Sequence, residues 1–270
     1  MQILSLEHTS PSTIARCFND AFADYYVKFN ANETYFINRW KAARVSYALS
    51  YGAFEEERLV GFMLMGIDQW EGLPTAYNAG TGVIPEERGR RLVEKMYSRA
   101  LPALQAQGIQ QSTLEVITIN EKAIKAYKNV GYEIARELHC FSGEIKQTST
   151  DRLYKSKHIP FDTLPTPRFP YSWENNLQGI KIAPHHYEYW YIKDDNQIIA
   201  SAIINPGNGY IAQYFFTDPD QGLQLLAAIG QHCPVLKINN IDSRDDITLS
   251  TFTLAGLNDF IQQYEMKLLL

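Results

Sequence analysis

The chain has 270 residues, 45% of them apolar and 13% aromatic, which suffices for two packed cores or for one core with a large appendage. A formal net charge of -5 without long basic runs gives no electrostatic pull toward nucleic acid or an anionic membrane surface. No apolar stretch reaches spanning length and the N-terminus lacks the basic-then-apolar layout of a secretion signal. Cys17, Cys140 and Cys233 are odd in number and far apart, so the expectation is a cytoplasmic protein with reduced thiols.

In chain order, Met1 to Leu6 reads as a short strand. Ser10 or Ser12 caps a helix through Ile14, Cys17, Phe18 and Phe22, and a second helix follows Asn32 with Tyr35, Phe36 and Trp40 as its stripe. Three antiparallel strands come next, near 45–54, 59–67 and 76–84, with Glu55-Glu56-Glu57 as a charged hairpin tip. Residues 88–106 place Leu92, Met96, Ala100 and Leu104 on one helical face, with a kink expected at Pro102 and Gly108 as the stop. A strand at 112–117 leads to a helix capped by Asn120, packed through Ala123, Ile124, Tyr127 and Val130, and ended by Gly131. Tyr132 to Ile145 returns as a strand.

Between Lys155 and Ser172 the prolines 160, 165, 167 and 170 mark a linker or an irregular crossing segment. Beyond it lie strands near 187–192, 198–204, 210–216, 235–238 and 260–268, and helices near 221–231 and 246–254. The order echoes the second half of the first region. The domains read as 1–150, a Pro-rich linker at 151–175, and 176–270. The fold class is α/β (α+β), a mixed and mostly antiparallel sheet flanked by helices, followed by a second, smaller α/β domain.

The turn Pro85-Glu86-Glu87-Arg88-Gly89-Arg90-Arg91-Leu92 opens a helix. Unpaired N–H groups and the positive end of the helix dipole suit a phosphate-bearing ligand there, although an Arg-rich first turn is also what a solvated surface looks like. Gly80 and Gly82 interrupt a good strand, as a bulge or a close backbone approach requires, or as relief of packing against the long helix. Asn120 and Tyr127, two helical turns apart, share a face.

The run Gly82-Val83-Ile84-Pro85-Glu86-Glu87-Arg88-Gly89, then Leu114-Glu115-Val116 and Asn120…Ala123…Tyr127…Gly131-Tyr132, resembles the GCN5-related N-acetyltransferases (GNAT family). The resemblance covers roughly the first half of the chain, and the C-terminal element order resembles a second, degenerate GNAT-like copy without an Arg-Gly turn. It implies acetyl-coenzyme A as co-substrate and direct acetyl transfer to a small-molecule or peptide amine. The amides of Arg88, Gly89, Arg90, Arg91, Leu92 and Val93 would hold the pyrophosphate, and the three arginines would add charge. Thr81, Gly82 and Val83 would face the pantetheine arm, with the Val83 N–H as oxyanion donor and Asn120 beside it. Tyr127 would protonate the thiolate. Glu115 would be the base, with water or, less directly, Asp68 or Glu71 in that role otherwise. Tyr25 and Tyr26 would line the acceptor pocket. Where the family shows Arg-x-x-Gly-x-Gly (or Ala), this chain has Arg88-x-x-Arg91-x-Val93, which keeps open a non-catalytic acyl-coenzyme A sensor or an interaction module. The C-terminal half would cover the acceptor pocket, form a homodimer contact or stabilise the first half. His185-His186 and His232-Cys233 lack the spacing of metal ligands, so no metal is expected.

Overall fold

Side-chain caps and left-handed turn residues punctuate the chain, and the computed structural model, which describes residues 1–25 and 31–270, sets its elements between them. After β1 (Gln2–Ser5), Ser10 accepts from the Thr13 N–H at 3.2 Å to start α1 (Pro11–Ala21), and Asn32 accepts from Tyr35 at 2.9 Å to start α2 (Glu33–Ala42). β2 (Val45–Glu55), β3 (Arg58–Trp70) and β4 (Leu73–Val83) form an antiparallel meander. Its turns are short because Glu56, Glu71 and Gly72 adopt the positive φ that tight hairpins need. Then come α3 (Leu92–Ala106), β5 (Gln111–Ile117) and α4 (Glu121–Val130), which stops at left-handed Gly131 (φ 111°). α3 runs through Pro102 to Ala106. The remaining elements are β6 (Glu133–Glu144), β7 (Tyr154–Ser156), α5 (Leu177–Ile182), β8 (Glu188–Asp194), β9 (Gln197–Asn205), β10 (Tyr210–Phe215), α6 (Pro219–Gly230), β11 (Val235–Asp242), α7 (Asp246–Leu254) and β12 (Asn258–Leu269). No helix among the described residues is long and apolar enough to cross a membrane.

The chain divides into two compact units, Met1–Ala135 with Glu265–Leu270, and Arg136–Tyr264. The division therefore falls at 135/136, whereas composition suggests 151–175. The Pro-rich stretch packs inside the second unit, anchored by side chains because its prolines offer no N–H groups.

In the first unit the sheet order is β1-β2-β3-β4-β5, with the last residues of β12 next to β5. Residues 59–66 of β3 are buried without interruption, as in a strand covered on both faces. Phe62 meets Phe18 of α1 at 5.2 Å between ring centroids, and Phe18 meets Phe36 of α2 at 4.8 Å. β4 carries a bulge: Leu64 pairs with Gly80 and Met65 with Asn78, leaving Ala79 extra. β4 and β5 pair in parallel over Thr75–Tyr77 and Gln111–Thr113, and their pairing ends there.

The second unit repeats this grammar in the order β12-β6-β11-β10-β9-β8-β7. β10 and β11 pair in parallel only at Tyr210–Lys237 and Ile211–Ile238, and β10 bulges between Ile211 and Gln213. Asp245 caps α7 through Thr248 as Asn120 caps α4 through Ala123. Seven residues after each cap stands a buried aromatic, Phe252 or Tyr127.

Met266, fully buried, reaches the first unit from far along the sequence. Met266→Ala should destabilise the protein by about 2–5 kcal/mol, the usual cost of deleting a buried side chain of this size, read from the urea midpoint at unchanged slope.

Candidate functional site

Parting β4 from β5 leaves backbone groups of β4 without a neighbouring strand, and the bulge turns that backbone toward the gap. A cleft of about 640 Å³ opens there. Thr81, Gly82 and Val83 line it from β4, Arg88, Gly89, Arg91, Leu92 and Val93 from the turn and α3, Asn120 and Tyr127 from the start and middle of α4, and Tyr25 from the loop after α1. The structure thus brings together most of the residues singled out from the sequence. Arg90 and Glu115 stand outside the lining, and Tyr26 lies outside the described residues.

The turn is shaped by two left-handed residues, Gly89 (φ 80°) and Arg91 (φ 55°). Glycine meets that demand freely, and a Cβ placed on Gly89 would meet nothing within 4 Å, so the space above it is open. Arginine meets it at about 1–2 kcal/mol of backbone strain. The backbone at 91 therefore has a glycine's conformation while its side chain is a cation on the cleft wall. No side chain caps α3, and the N–H groups of Leu92, Val93 and Glu94 have no acceptor on their own helix. A row of open amides at the positive end of a 15-residue helix is an anion seat.

The three arginines do different things. Arg88 is a clamp: its guanidinium donates to both oxygens of Asp24 (2.6 and 2.7 Å), to the Ala21 carbonyl (2.9 Å) and to the Val83 carbonyl (3.2 Å). The Arg88 hydrogen bonds hold the Asp24 carboxyl below its ordinary range. Arg88 thus corrects the expectation that all three side chains add charge toward phosphate, because fork geometry commits it to a carboxylate. Arg90 pairs with Glu87 and, at 3.7 Å, with Glu55. Arg91 is the arginine side chain left to face an anion, and Lys122 and Lys125 of α4 join it on the lining. Those two lysines and Asp24 are not evident from motif reading. Their signal is the spacing of Lys122 and Lys125 on one face of α4.

Asn120 works at both ends: its carbonyl accepts from the Ala123 N–H (3.2 Å) and its amide donates to the Tyr25 hydroxyl (3.4 Å). The Tyr127 ring packs edge-on against Tyr97 and Tyr132, at 6.3 and 6.0 Å between centroids. Burial pushes the Tyr127 phenol well above its ordinary value, while hydrogen bonding with Thr81 works the other way. Glu115 accepts from the Tyr77 hydroxyl just beyond the last β4–β5 pair. Asp68 is paired with Arg44 at 2.9 Å and Glu71 with Lys267. Among the described residues no group of three or more His, Cys, Asp or Glu is placed to hold a metal ion.

The second unit treats the corresponding places differently. Asp218 caps α6, its carboxylate accepting from the Gln221 N–H at 3.0 Å, so an acid occupies the position of the open turn. Tyr171 from the Pro-rich stretch donates to the Tyr214 carbonyl (2.7 Å) and accepts from the Tyr214 N–H (3.0 Å), filling the parted β10 edge as a strand would. Arg168 reaches Asp245, Thr248 and the Phe216 carbonyl at 2.9 to 3.1 Å. These residues of the Pro-rich stretch narrow the notch, leaving a cavity of about 280 Å³ between Arg168, Tyr171, Tyr214 and Asp245.

Known proteins share the fold of this chain. Residues 14–132 match the Acetyltransferase (GNAT) family. The N-alpha-acetyltransferase MAK3 of Arabidopsis thaliana is 24% identical over 148 residues, spanning 50% of this chain and 75% of the relative. A GCN5-related N-acetyltransferase from Sphaerobacter thermophilus has the same fold over 99% of this chain and 95% of its own (TM-score 0.71, 12% identity). A tandem GNAT protein from the clavulanic acid biosynthesis pathway matches over 99% and 98% (TM-score 0.63, 10% identity).

Because Arg90 is already paired and Arg91 faces the cleft, calorimetry with acetyl-coenzyme A should separate them. Arg91→Glu is expected to weaken binding about tenfold or more, and Arg90→Glu less than about threefold.

Proposed function

We propose that this chain, whose residues 14–132 match the acetyltransferase (GNAT) family, is an N-acetyltransferase that binds acetyl-coenzyme A in the cleft of the first unit and passes the acetyl group directly to an amine. The observation that carries this reading is the convergence, in one cleft of about 640 Å³, of an uncapped helix start, a parted strand edge and a buried phenol. The open amides of Leu92 to Glu94 and the side chains of Arg91, Lys122 and Lys125 suit the phosphates. The unpaired edge of β4 suits the amide-bearing arm, which can pair with it as a strand does.

The attacking amine needs its lone pair, and an ordinary alkylamine with a pKa of about 10.4 is charged at neutral pH. We assign Glu115, held by Tyr77, to take that proton through water, since its carboxylate lies beside the parting of the strands but off the cleft lining. The Val83 N–H then stands where charge develops on the thioester oxygen. Tyr127 donates to the departing sulfur. A buried phenol gives up its proton reluctantly, but the same apolar surroundings also raise the basicity of a thiolate formed there, so the two groups remain matched.

The acceptor is an amine. The relative from Arabidopsis thaliana is named for α-amines, which makes peptide N-termini a first choice beside lysine, polyamines and amino sugars. Thiol release from acetyl-coenzyme A across that panel is the test, and turnover is expected with at least one member. Thermal stabilisation by the coenzyme without release for any amine would overturn the transferase reading in favour of a binding protein.

Tyr127→Phe should lower kcat about 10²–10⁴-fold at nearly unchanged coenzyme affinity. Because its folded value is raised, the phenol keeps its proton through neutral and moderately alkaline pH, so Tyr127 contributes no alkaline limb to kcat below about pH 10. The pH–rate profile of the wild type, set against that of Tyr127→Phe, checks the sign.

A further inference from the structure

The turn that opens α3 and the start of α4 form different walls of the cleft, and two consecutive residues of the loop after α1 reach one wall each. Asp24 accepts with both carboxylate oxygens from Arg88 of the turn, at 2.6 and 2.7 Å. The Tyr25 hydroxyl oxygen accepts from the side-chain amide of Asn120, at 3.4 Å. Asn120 has its carbonyl engaged by the Ala123 N–H at 3.2 Å, which fixes the end that faces Tyr25 as nitrogen, a pure donor.

The two ties differ in strength. The Arg88 guanidinium makes four hydrogen bonds, two to Asp24 and one each to the carbonyls of Ala21 (2.9 Å) and Val83 (3.2 Å), so Asp24 is fastened at once to the turn, to the end of α1 and to the end of β4. Behind it the loop is rooted in α1: the Tyr25 N–H donates to the Phe22 carbonyl at 3.1 Å, the Tyr25 ring meets Phe22 edge-on at 4.8 Å, and Phe22 stacks on Phe18 at 4.5 Å. The contact with Asn120 is a single long hydrogen bond. Residues 24 and 25 are therefore a span fixed at the turn and lightly tied at α4. Both line the cleft, so a molecule extended from the amides of α3 to Tyr127 meets the span on its way in and on its way out. A carboxylate on the wall of an anion seat opposes phosphate, and its fork with Arg88 offsets that charge while holding the loop in place.

Building on the reading of this cleft as the coenzyme site, we propose that Asp24 is a positioning residue: held by Arg88, it aims Tyr25 at Asn120, and acetyl-coenzyme A exchanges when the resulting bridge parts. Such a bridge raises the barrier to entry and to exit alike. A contact made with the bound coenzyme slows exit alone.

Stopped-flow mixing of the protein with acetyl-coenzyme A separates the two cases. In Asp24→Ala both kon and koff should rise about three- to tenfold, a range set by an ion pair whose partners are about half exposed, with Kd changed less than about twofold. Asp24→Asn, isosteric but unable to accept the fork with two oxygens, should move both rates the same way, so the test survives poor folding of the alanine variant. Tyr25→Phe should also speed both rates, and the double variant Asp24→Ala/Tyr25→Phe should be no faster than the faster single one, because both changes undo one tie. Rates that multiply in the double variant would overturn the proposal. A rise in koff alone would make Asp24 a contact of the coenzyme, and a fall in koff would make the freed Arg88 a phosphate ligand; either result overturns it too. In the protein without coenzyme, the side-chain amide resonances of Asn120 should shift in Tyr25→Phe and in Asp24→Ala. If they stay in place in folded Asp24→Ala, the proposal fails whatever the coenzyme does, whereas shifted resonances in a protein that binds no acetyl-coenzyme A would overturn the coenzyme reading and keep the bridge.

Discussion

Everything at the site depends on two neighbouring strands that begin paired and then separate. Tyr77 and Thr113 are the last partners of β4 and β5, and beyond them each strand presents backbone groups to a gap. An open edge inside a protein is costly unless something satisfies it. In the first unit the gap is a cleft whose walls carry an uncapped helix start and exposed cations. In the second the equivalent gap is filled by Tyr171 and the equivalent helix is capped by Asp218. One architecture thus yields a wide notch of about 640 Å³ and a narrower one of about 280 Å³, and the difference lies in a few side chains rather than in topology.

Charge in the open cleft is more economical than the sequence suggests. Of three clustered arginines, Arg88 fastens the turn to the end of α1 through Asp24 and Ala21, and Arg90 answers Glu87 and Glu55. Arg91 lines the ligand space from a backbone conformation that normally calls for glycine. An arginine held there exchanges close approach of the backbone for a full positive charge, and the open space over Gly89 preserves one point of close approach.

Much of this is legible in the sequence because it rests on local rules. Helix starts at Ser10, Asn32 and Asn120, the stop at Gly131 and the hairpin turns depend on short-range chemistry, and the Asn120–Tyr127 spacing follows from helix geometry. The glycines at 80 and 82 point to the bulge. What stays hidden depends on partners remote in sequence. Nothing local says that Arg88 would find Asp24, or that prolines between 160 and 170 would lie inside a unit rather than between two.

The residues of β12 that complete the first unit, Glu265 to Leu270, follow the rest of that unit by some 130 positions in the chain. During synthesis the first 135 residues leave the ribosome with the outer edge of β5 unpaired, and they stay so while the whole second unit is being made. Closing that edge is a late, long-range event with a correspondingly large loop to close. Until it is closed, that edge presents unpaired backbone groups of the kind that template pairing with other chains.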